Sequence, residues 1–138
     1  MPRRDAYHDA VKNPLVKDGW VITHDPFILE FEDVQLFVDL AAEKTIAAEK
    51  SGRKIVVEIK VFKSISLFSE LEKSLGQYDI YSMFLEETSP ERKLYLAVAQ
   101  EVWENFFQRS SVKFVMSRRQ MNLLIFNSTE EEIVEWIN

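Results

Sequence analysis

The chain has 138 residues, of which 46% are hydrophobic and 29% are charged, and its net charge is −6. This length and this balance predict one globular domain that spans residues 1–138. The absence of cysteine excludes disulfides, cysteine-based zinc sites and thiol catalysis, and the 2 histidines disfavour a histidine-rich metal site. The acidic charge argues against a surface that coats nucleic acid broadly, but a divalent cation held by carboxylates can supply positive charge at a local site.

Nothing in the sequence predicts an association with a membrane. The longest apolar run, Leu94–Ala99, is far too short to span a bilayer. The opening residues MPRRDAYHDA include basic side chains but no apolar stretch of the kind found in signal peptides. We therefore expect a cytoplasmic protein.

In the first half of the chain, the pattern predicts a helix and then three strands. The helix covers residues 3 to about 18, and Pro14 is expected to break it near Asn13 because proline lacks a backbone N–H. The AAEKTIAAEK segment (41 to 50) has the composition of at least a helical turn. The three strands are predicted at Trp20–His24, at Val34 to about Leu40, and at Lys54–Phe62.

In the second half, the longest apolar stripe predicts a helix over residues 66–87. Gly76 lies inside this helix and is expected to allow the close approach of another backbone. The order of elements predicts a mixed α/β or α+β domain. The remaining elements are predicted as a strand at Leu94–Ala99, a helix at Gln100–Gln108, strands at Val112–Met116 and Leu123–Phe126, and a short helix from a capping box at Ser128–Glu131 to Trp136–Ile137.

The segment IVVEIKVF (55 to 62) places an acid and a base in an otherwise apolar strand. Glu58 and Lys60 share one face of that strand, and Asp39 ends the preceding run LFVD. This arrangement resembles the active-site pattern of the PD-(D/E)XK nucleases. By this resemblance, Asp39 and Glu58 would bind Mg²⁺ or Mn²⁺ together with the backbone carbonyl of Ile59. Lys60 would act on the attacking water or on the phosphate. The alternative is a solvated face with a Glu–Lys pair worth under about 1 kcal/mol.

The helix that follows adds further candidate residues. Gln77 and Tyr81 share a helical face, and Lys73 lies one turn before Gln77. The Gln–Tyr pair resembles the QxxxY helix of several nucleases of this superfamily, which contacts the active site or the DNA backbone. Alternatively, Gln77 lies on a polar helix surface and Tyr81 packs in the core.

Two residues of the first helix are accessory candidates. Asp5 would add an acid to the site and His8 would contact phosphate, although a capping or packing role for His8 is the alternative. The basic stretch Ser117–Arg119 is too short to predict a nucleic-acid footprint. An exposed Trp136 would indicate a homo-oligomer or partner surface. Three further aromatic residues, Trp103, Phe106 and Phe107, are interpreted as core.

Along nearly its whole length, the sequence resembles the XisH family, the cyanobacterial fdxN-element excision controlling factors. It departs from the family pattern at Ala41, where glycine is expected, and at Val61, where serine is expected; neither change removes a candidate ligand. The resemblance is carried by RDAYHDAVKNPLVKDGWVITHDP (4 to 26), VDLAAEKTIAAEK (38 to 50), VVEIKVF (56 to 62), LGQYDIY (75 to 81), PERKLYLAV (90 to 98) and IVEWI (133 to 137).

The resemblance implies a restriction-endonuclease-like fold, with a central mixed β-sheet flanked by helices. It also implies a part in programmed DNA rearrangement during heterocyst development, beside a site-specific recombinase and a small partner protein, XisI. Three readings stay open. The protein is a Mg²⁺-dependent nuclease-like factor that binds DNA at a local site, a catalytically silent regulator that binds a partner or the recombinase–DNA complex, or a structural subunit whose polar cluster only stabilises the fold.

Overall fold

The computed structural model describes residues 3–36, 44–62 and 66–138. Within these residues, no helix is long and apolar enough to cross a membrane. The elements in chain order are α1 (Arg3–Lys17), β1 (Val21–His24), β2 (Leu29–Phe31), β3 (Val34–Leu36), β4 (Lys44–Lys50), β5 (Arg53–Ile59), α2 (Leu67–Thr88), β6 (Arg92–Ala99), α3 (Gln100–Asn105), a 3₁₀ turn (Phe106–Gln108), α4 (Ser110–Arg118), β7 (Leu123–Asn127) and β8 (Glu132–Ile137).

Six of the strands form one mixed sheet in the order β1-β4-β5-β6-β7-β8. The three central strands β5, β6 and β7 are parallel, whereas the β1–β4, β4–β5 and β7–β8 pairs are antiparallel. Strands β2 and β3 form a separate antiparallel hairpin. The four helices and the mixed sheet together make an α/β architecture, as the pattern of elements predicted.

The helices cover the two faces of the sheet unequally. Residues of α1 belong to the apolar cluster on one face, while residues of α2, the 3₁₀ turn and α4 belong to the cluster on the other. This division follows from right-handed crossovers, because β5, β6 and β7 are adjacent and both crossover connections then lie on the same side. The α2 face is the one on which Glu58 lies, since it alternates with Val57, which belongs to the α1 cluster.

Several predicted elements are confirmed. The helix at 3–18 and the long helix at 66–87 are α1 and α2, and the strands at Trp20–His24 and Lys54–Phe62 are β1 and β5. The Ser66 hydroxyl accepts a hydrogen bond from the backbone N–H of Ser69 at 3.2 Å, which caps the start of α2. The predicted strands at Leu94–Ala99 and Leu123–Phe126 are β6 and β7, and the predicted helix at Gln100–Gln108 is α3 with its 3₁₀ turn.

Two expectations about helix interiors are wrong. Helix α1 does not break near Asn13 but continues through Pro14 to Lys17. Ala10 and Leu15, on either side of Pro14, are both fully buried, and their packing compensates for the single backbone hydrogen bond that proline cannot make. Gly76 does not mark a close approach, because an added Cβ would meet no heavy atom within 4 Å.

The AAEKTIAAEK segment is not helical. Its described part, Lys44–Lys50, forms β4 between β1 and β5. Ile46, Ala47 and Ala48 are fully buried, so both faces of the strand are covered. Burial in the centre of the sheet overrides the helical propensity of Ala, Glu and Lys. The strand predicted from Val34 to Leu40 is described only as far as Leu36, where it pairs with β2 and lies outside the main sheet.

Two elements predicted in the C-terminal region are wrong. Val112–Met116 lies in helix α4, and Glu132–Ile137 is strand β8, not a helix. The Asn127 side chain accepts hydrogen bonds from the backbone N–H groups of Thr129 (2.9 Å) and Glu130 (2.8 Å). These bonds close a turn between β7 and β8. Residues 128–131 therefore form the turn of a hairpin and not the capping box of a helix.

Candidate active site

The candidate site lies where β5 ends beneath α2. Glu58 is fully buried at 0% exposure, and Lys60, directly after the strand, is only 5% exposed. Glu58 pairs with Leu96 of the parallel strand β6, and the Lys60 backbone N–H donates to the carbonyl of Ala97 at 3.4 Å. The sheet therefore anchors both residues near the carboxyl ends of its parallel strands, where α/β proteins commonly place their sites.

Strand β4 brings Thr45 to the same place. Thr45 and Glu58 are direct partners in the antiparallel β4–β5 ladder, so their side chains share a face. Thr45 is 3% exposed, and its hydroxyl oxygen has no hydrogen-bond partner within residues 3–36, 44–62 and 66–138. Sequence reasoning missed this residue, because the composition of its segment predicts a helical turn and not a strand.

The side of helix α2 that packs on this face of the sheet carries a stripe of polar side chains. Ser74 is fully buried, and Tyr78 and Tyr81 are each 7% exposed. The Ser74 hydroxyl donates to the carbonyl of Glu70 at 2.9 Å, and Gln77 has a buried Oε1 with no hydrogen-bond partner in the described part of the chain. A helix side that packs on a core but carries hydroxyl, amide and phenol groups is typical of a functional surface.

Glu70 is a site residue that the sequence reasoning missed. Its Oε1 lies 3.3 Å from the Nζ of Lys60, and the two side chains are 15% and 5% exposed. Glu70 precedes Gln77 by seven residues, which is two helical turns, so both lie on the same side of α2. That spacing was visible in the sequence and would have placed an acid beside the predicted Gln–Tyr stripe.

Tyr78 links this polar stripe of α2 to the sheet through two hydrogen bonds. Its hydroxyl donates to the carbonyl of Leu94 at 3.2 Å and accepts from the backbone N–H of Asn122 at 3.0 Å. Burial raises the pKa of Tyr78, the hydrogen bond from the Asn122 backbone lowers it, and electrostatic interactions with Tyr95 and Glu58 raise it further. Tyr78 therefore stays neutral at ordinary pH, and Glu58 lies close enough to influence its titration.

The structure brings together only some of the predicted site residues. Glu58 in β5, Lys60 directly after β5, and Gln77 and Tyr81 in α2 lie on the same side of the sheet. Lys73 is exposed to solvent. Ile59 is the last residue of β5. Asp39 lies outside the described residues, and so does the Asp5 side chain, although the Asp5 backbone belongs to α1.

His8 belongs to a different cluster, on the α1 side. Its Nε2 lies 2.8 Å from Asp25, and the Nζ of Lys12 lies 2.9 Å from the other oxygen of Asp25. Burial acts to raise the pKa of Asp25, but the hydrogen bonds and charges of Lys12 and His8 outweigh it and hold that pKa below its ordinary value. These contacts fasten α1 to the end of β1, which is the packing alternative for His8.

Of the aromatic side chains, Phe106 and Phe107 are buried, and Trp103 is partly buried against the same core, in agreement with their interpretation as core residues. Trp136 is not fully exposed. Its ring centroid lies 4.9 Å from that of Tyr95 and 5.8 Å from that of Trp20, so the ring packs partly within the fold, and an oligomer or partner surface stays a prediction.

The donor chemistry around Glu58 suits a hard divalent cation only in part. A buried carboxylate, the Thr45 hydroxyl and the Gln77 amide oxygen are the oxygen ligands that Mg²⁺ prefers. In the described part of the chain, however, no group of three or more His, Asp or Glu side chains could hold a metal. A metal site at Glu58 would therefore need a further acid from outside that part, and Asp39 remains the residue predicted for it.

Comparison with known proteins decides the family. The XisH protein family model matches residues 1–134. The chain belongs to the XisH family. Its fold is similar to the crystal structure of an fdxN element excision controlling factor protein from Anabaena variabilis, with 39% identity, 97% of this chain and 99% of that chain covered, and a TM-score of 0.88. It is equally similar to an XisH family protein from Nostoc punctiforme PCC 73102, with 41% identity, coverage of 97% and 100%, and a TM-score of 0.88. No protein with a curated description matches the chain.

Proposed function

We propose that this XisH-family protein is a restriction-endonuclease-like, nuclease-type factor that acts on DNA in the cytoplasm and controls the excision of a DNA element. The observation that carries the proposal is the burial of Glu58 in β5 and of Lys60 directly after it, at 0% and 5% exposure. The similarity to an fdxN element excision controlling factor supports the DNA-element part of the proposal.

The energetic argument starts from the cost of burying charge. Removing a carboxylate and an ammonium group from water costs several kcal/mol each, and well-packed apolar residues are often as stable or more stable in the same place. The α1 face of the same strand carries such residues, Ile55, Val57 and Ile59. An acid and a base on the α2 face alone are therefore better explained by chemistry than by stability.

Each residue has a definite role in the proposed reaction. Glu58 and Asp39 would hold Mg²⁺ or Mn²⁺ with the Ile59 carbonyl, and the ion would polarise the scissile phosphate and lower the pKa of a bound water. Lys60 would orient that water or neutralise charge on the phosphorane. Glu70 would align Lys60, and the Gln77 amide would orient the site.

A second function rests on a different observation. Lys60 is already paired with Glu70, and the chain as a whole is acidic at −6. A lysine held by an internal carboxylate and a negative surface suit a catalytically silent regulator. Such a protein would bind an XisI-type partner or the recombinase–DNA complex through its surface and keep the polar cluster as part of the fold.

Cleavage assays on three substrates test the first function. Duplex, single-stranded and branched DNA are incubated with wild type, Glu58→Gln and Lys60→Met in Mn²⁺, in Mg²⁺ and in EDTA. We expect cation-dependent cleavage by wild type and a loss of at least about 100-fold in both variants, as for the removal of a group that acts on the transition state. Lys93→Met removes an exposed lysine from the start of β6 and serves as the control.

Metal binding supplies a readout that does not depend on cleavage. Calorimetry with Mn²⁺ on wild type and Glu58→Gln is expected to show binding only in wild type. If folded wild type neither binds Mn²⁺ at millimolar concentration nor cuts any of the three substrates, the nuclease proposal fails and the regulator remains. Cleavage that persists in Glu58→Gln would assign the activity to another site or to a contaminant.

A further inference from the structure

The charge of this acidic protein is distributed unevenly. The chain contains 17 Lys and Arg and 23 Asp and Glu, yet residues 105–129 include four of the cationic residues and none of the acidic ones. This segment therefore has a charge of +4, and the rest of the chain has a charge of −10. It comprises the 3₁₀ turn, α4 and β7. A local basic region in an acidic protein marks a surface for a polyanion.

Helix α4 arranges most of this charge on one side. At 100° per residue, Lys113, Phe114 and Arg118 fall within about 140° of one another and lie opposite Val112, which is fully buried. All three are exposed, and Phe114 is 58% exposed. The predicted strand at Val112–Met116 would have divided these side chains between two faces, so only the helix brings them together.

Three of the cations are available to a ligand. Arg109, Lys113 and Arg118 are exposed and make no ion pair within residues 3–36, 44–62 and 66–138, whereas Arg119 is paired with Asp79. The guanidinium groups of Arg109 and Arg118 lie over the rings of Phe106 and Phe114, at 5.2 and 4.9 Å. Stacking restrains each guanidinium and leaves its N–H groups free to donate to phosphate oxygens.

The N-terminal end of α4, where Arg109 stacks on Phe106, adjoins the candidate active site. The ring of Phe106, which carries Arg109, lies 6.3 Å from the ring of Phe62, two residues after Lys60. It also lies 6.4 Å from the ring of Phe68, in the first turn of α2, two residues before Glu70. A strand of nucleic acid that lies along α4 would therefore reach the end of β5.

From these observations we infer that the exposed face of α4, with Arg109, Lys113 and Arg118, binds the phosphate backbone of DNA and guides it to the site at the end of β5. The inference rests on the proposed function and deepens it, because it names the surface that holds the substrate. Nucleic acid fits better than an acidic protein, because stacked arginines and an exposed aromatic ring suit phosphates and bases together.

A binding assay separates this inference from catalysis. Fluorescent duplex and single-stranded DNA are titrated in EDTA, where no cleavage is expected, with wild type and with the triple variant Arg109→Gln, Lys113→Gln, Arg118→Gln. The matched control is Lys17→Gln, Lys50→Gln, Lys93→Gln, which removes the same charge at the other end of the sheet. Phosphatidylserine vesicles serve as a second polyanion, and circular dichroism checks that each variant folds.

We expect the α4 variant to lose at least about tenfold in DNA affinity and its salt slope to fall by about 2 to 3, while the control retains affinity within about threefold. Equal losses in both triple variants would overturn the inference, and so would a wild type that binds vesicles but no DNA. If wild type binds DNA through α4 but never cleaves it, the surface stands and the nuclease proposal fails. Loss of cleavage in Glu58→Gln with DNA binding intact would support both.

Discussion

The two faces of β5 have the same position in the sheet but opposite chemistry. On the α1 face, Ile55, Val57 and Ile59 are 1%, 0% and 2% exposed and belong to an apolar cluster with residues of α1. On the α2 face, Glu58 and Lys60 are as deeply buried, with Thr45 opposite Glu58 in the sheet and the Glu70 carboxylate beside Lys60. Burial is equal on both faces, so burial alone does not explain the charges. Both helices cover an apolar core, and the face under α2 also carries the buried charges of the candidate site.

The largest expected effect comes from placing a charge on the apolar face. Val57→Asp would bury a carboxylate among aliphatic side chains, and we expect a loss of more than about 4 kcal/mol, enough to prevent folding. Val21→Asp, at a valine that is 65% exposed in β1, is the matched control and should change stability by less than about 0.5 kcal/mol. Circular dichroism and urea unfolding measure both. A folded Val57→Asp protein of normal stability would contradict the contrast between the faces.

A smaller loss of stability is expected when the Lys60–Glu70 ion pair is broken. Lys60→Met leaves Glu70 without its partner at 15% exposure, and we expect a loss of about 2 to 3 kcal/mol. The double variant Lys60→Met, Glu70→Leu should recover at least half of that loss, because apolar residues replace both charges.

Urea unfolding of the four proteins in this cycle gives the coupling between the two residues. The exposed pair Asp79–Arg119 provides a comparison, and its coupling should stay under about 1 kcal/mol. If the losses at Lys60 and Glu70 simply add, the two side chains do not stabilise one another.

On the α1 side, the cluster around Asp25 predicts a dependence on pH. The pKa of Asp25 is lower in the folded protein than its ordinary value of 3.8, so its contribution to stability is present above that value and is lost as the pH falls through the folded pKa. We expect Asp25→Asn to lose about 1 kcal/mol at pH 7 and to match wild type at the acid end. Unfolding by urea between pH 2.5 and 7 measures the difference. If the difference in stability between wild type and Asp25→Asn stays constant across that pH range, the ionised Asp25 carboxylate is not the source of the stabilisation.

The smallest effect lies on the solvent side of α2. Gly76→Ala should stabilise the protein by about 0.5 kcal/mol, since the added methyl meets no atom within 4 Å and alanine favours the helix. Gly52→Ala is the control, because it has the same free space but a φ of +80°, and it should cost about 1 kcal/mol. Thermal unfolding compares the two. A destabilised Gly76→Ala would show that glycine is needed there for another reason.

Sequence reasoning succeeded where a local pattern and its burial agree. The apolar stripe of α2, with Leu71, Tyr78 and Leu85 buried, and the alternation of faces in β5 were predicted correctly. The roles of Glu58, Lys60 and Gln77 in a site stay predictions. It failed where short segments carry two compatible patterns. Val112–Met116 has the β-branched composition of a strand and lies in α4, while Lys44–Lys50 has the composition of a helix and lies in β4.

The mixed α/β class, the XisH family and an acid and a base on one side of a central strand can all be derived from the sequence, because period-two and period-3.6 patterns and ordered motifs are local properties. The partners of the acid and the base became visible in the folded protein. Thr45 opposite Glu58, Glu70 beside Lys60 and the basic side of α4 depend on which elements pair and pack. Such contacts join residues that are distant in the chain, and the free energy of burial that selects them belongs to the whole fold.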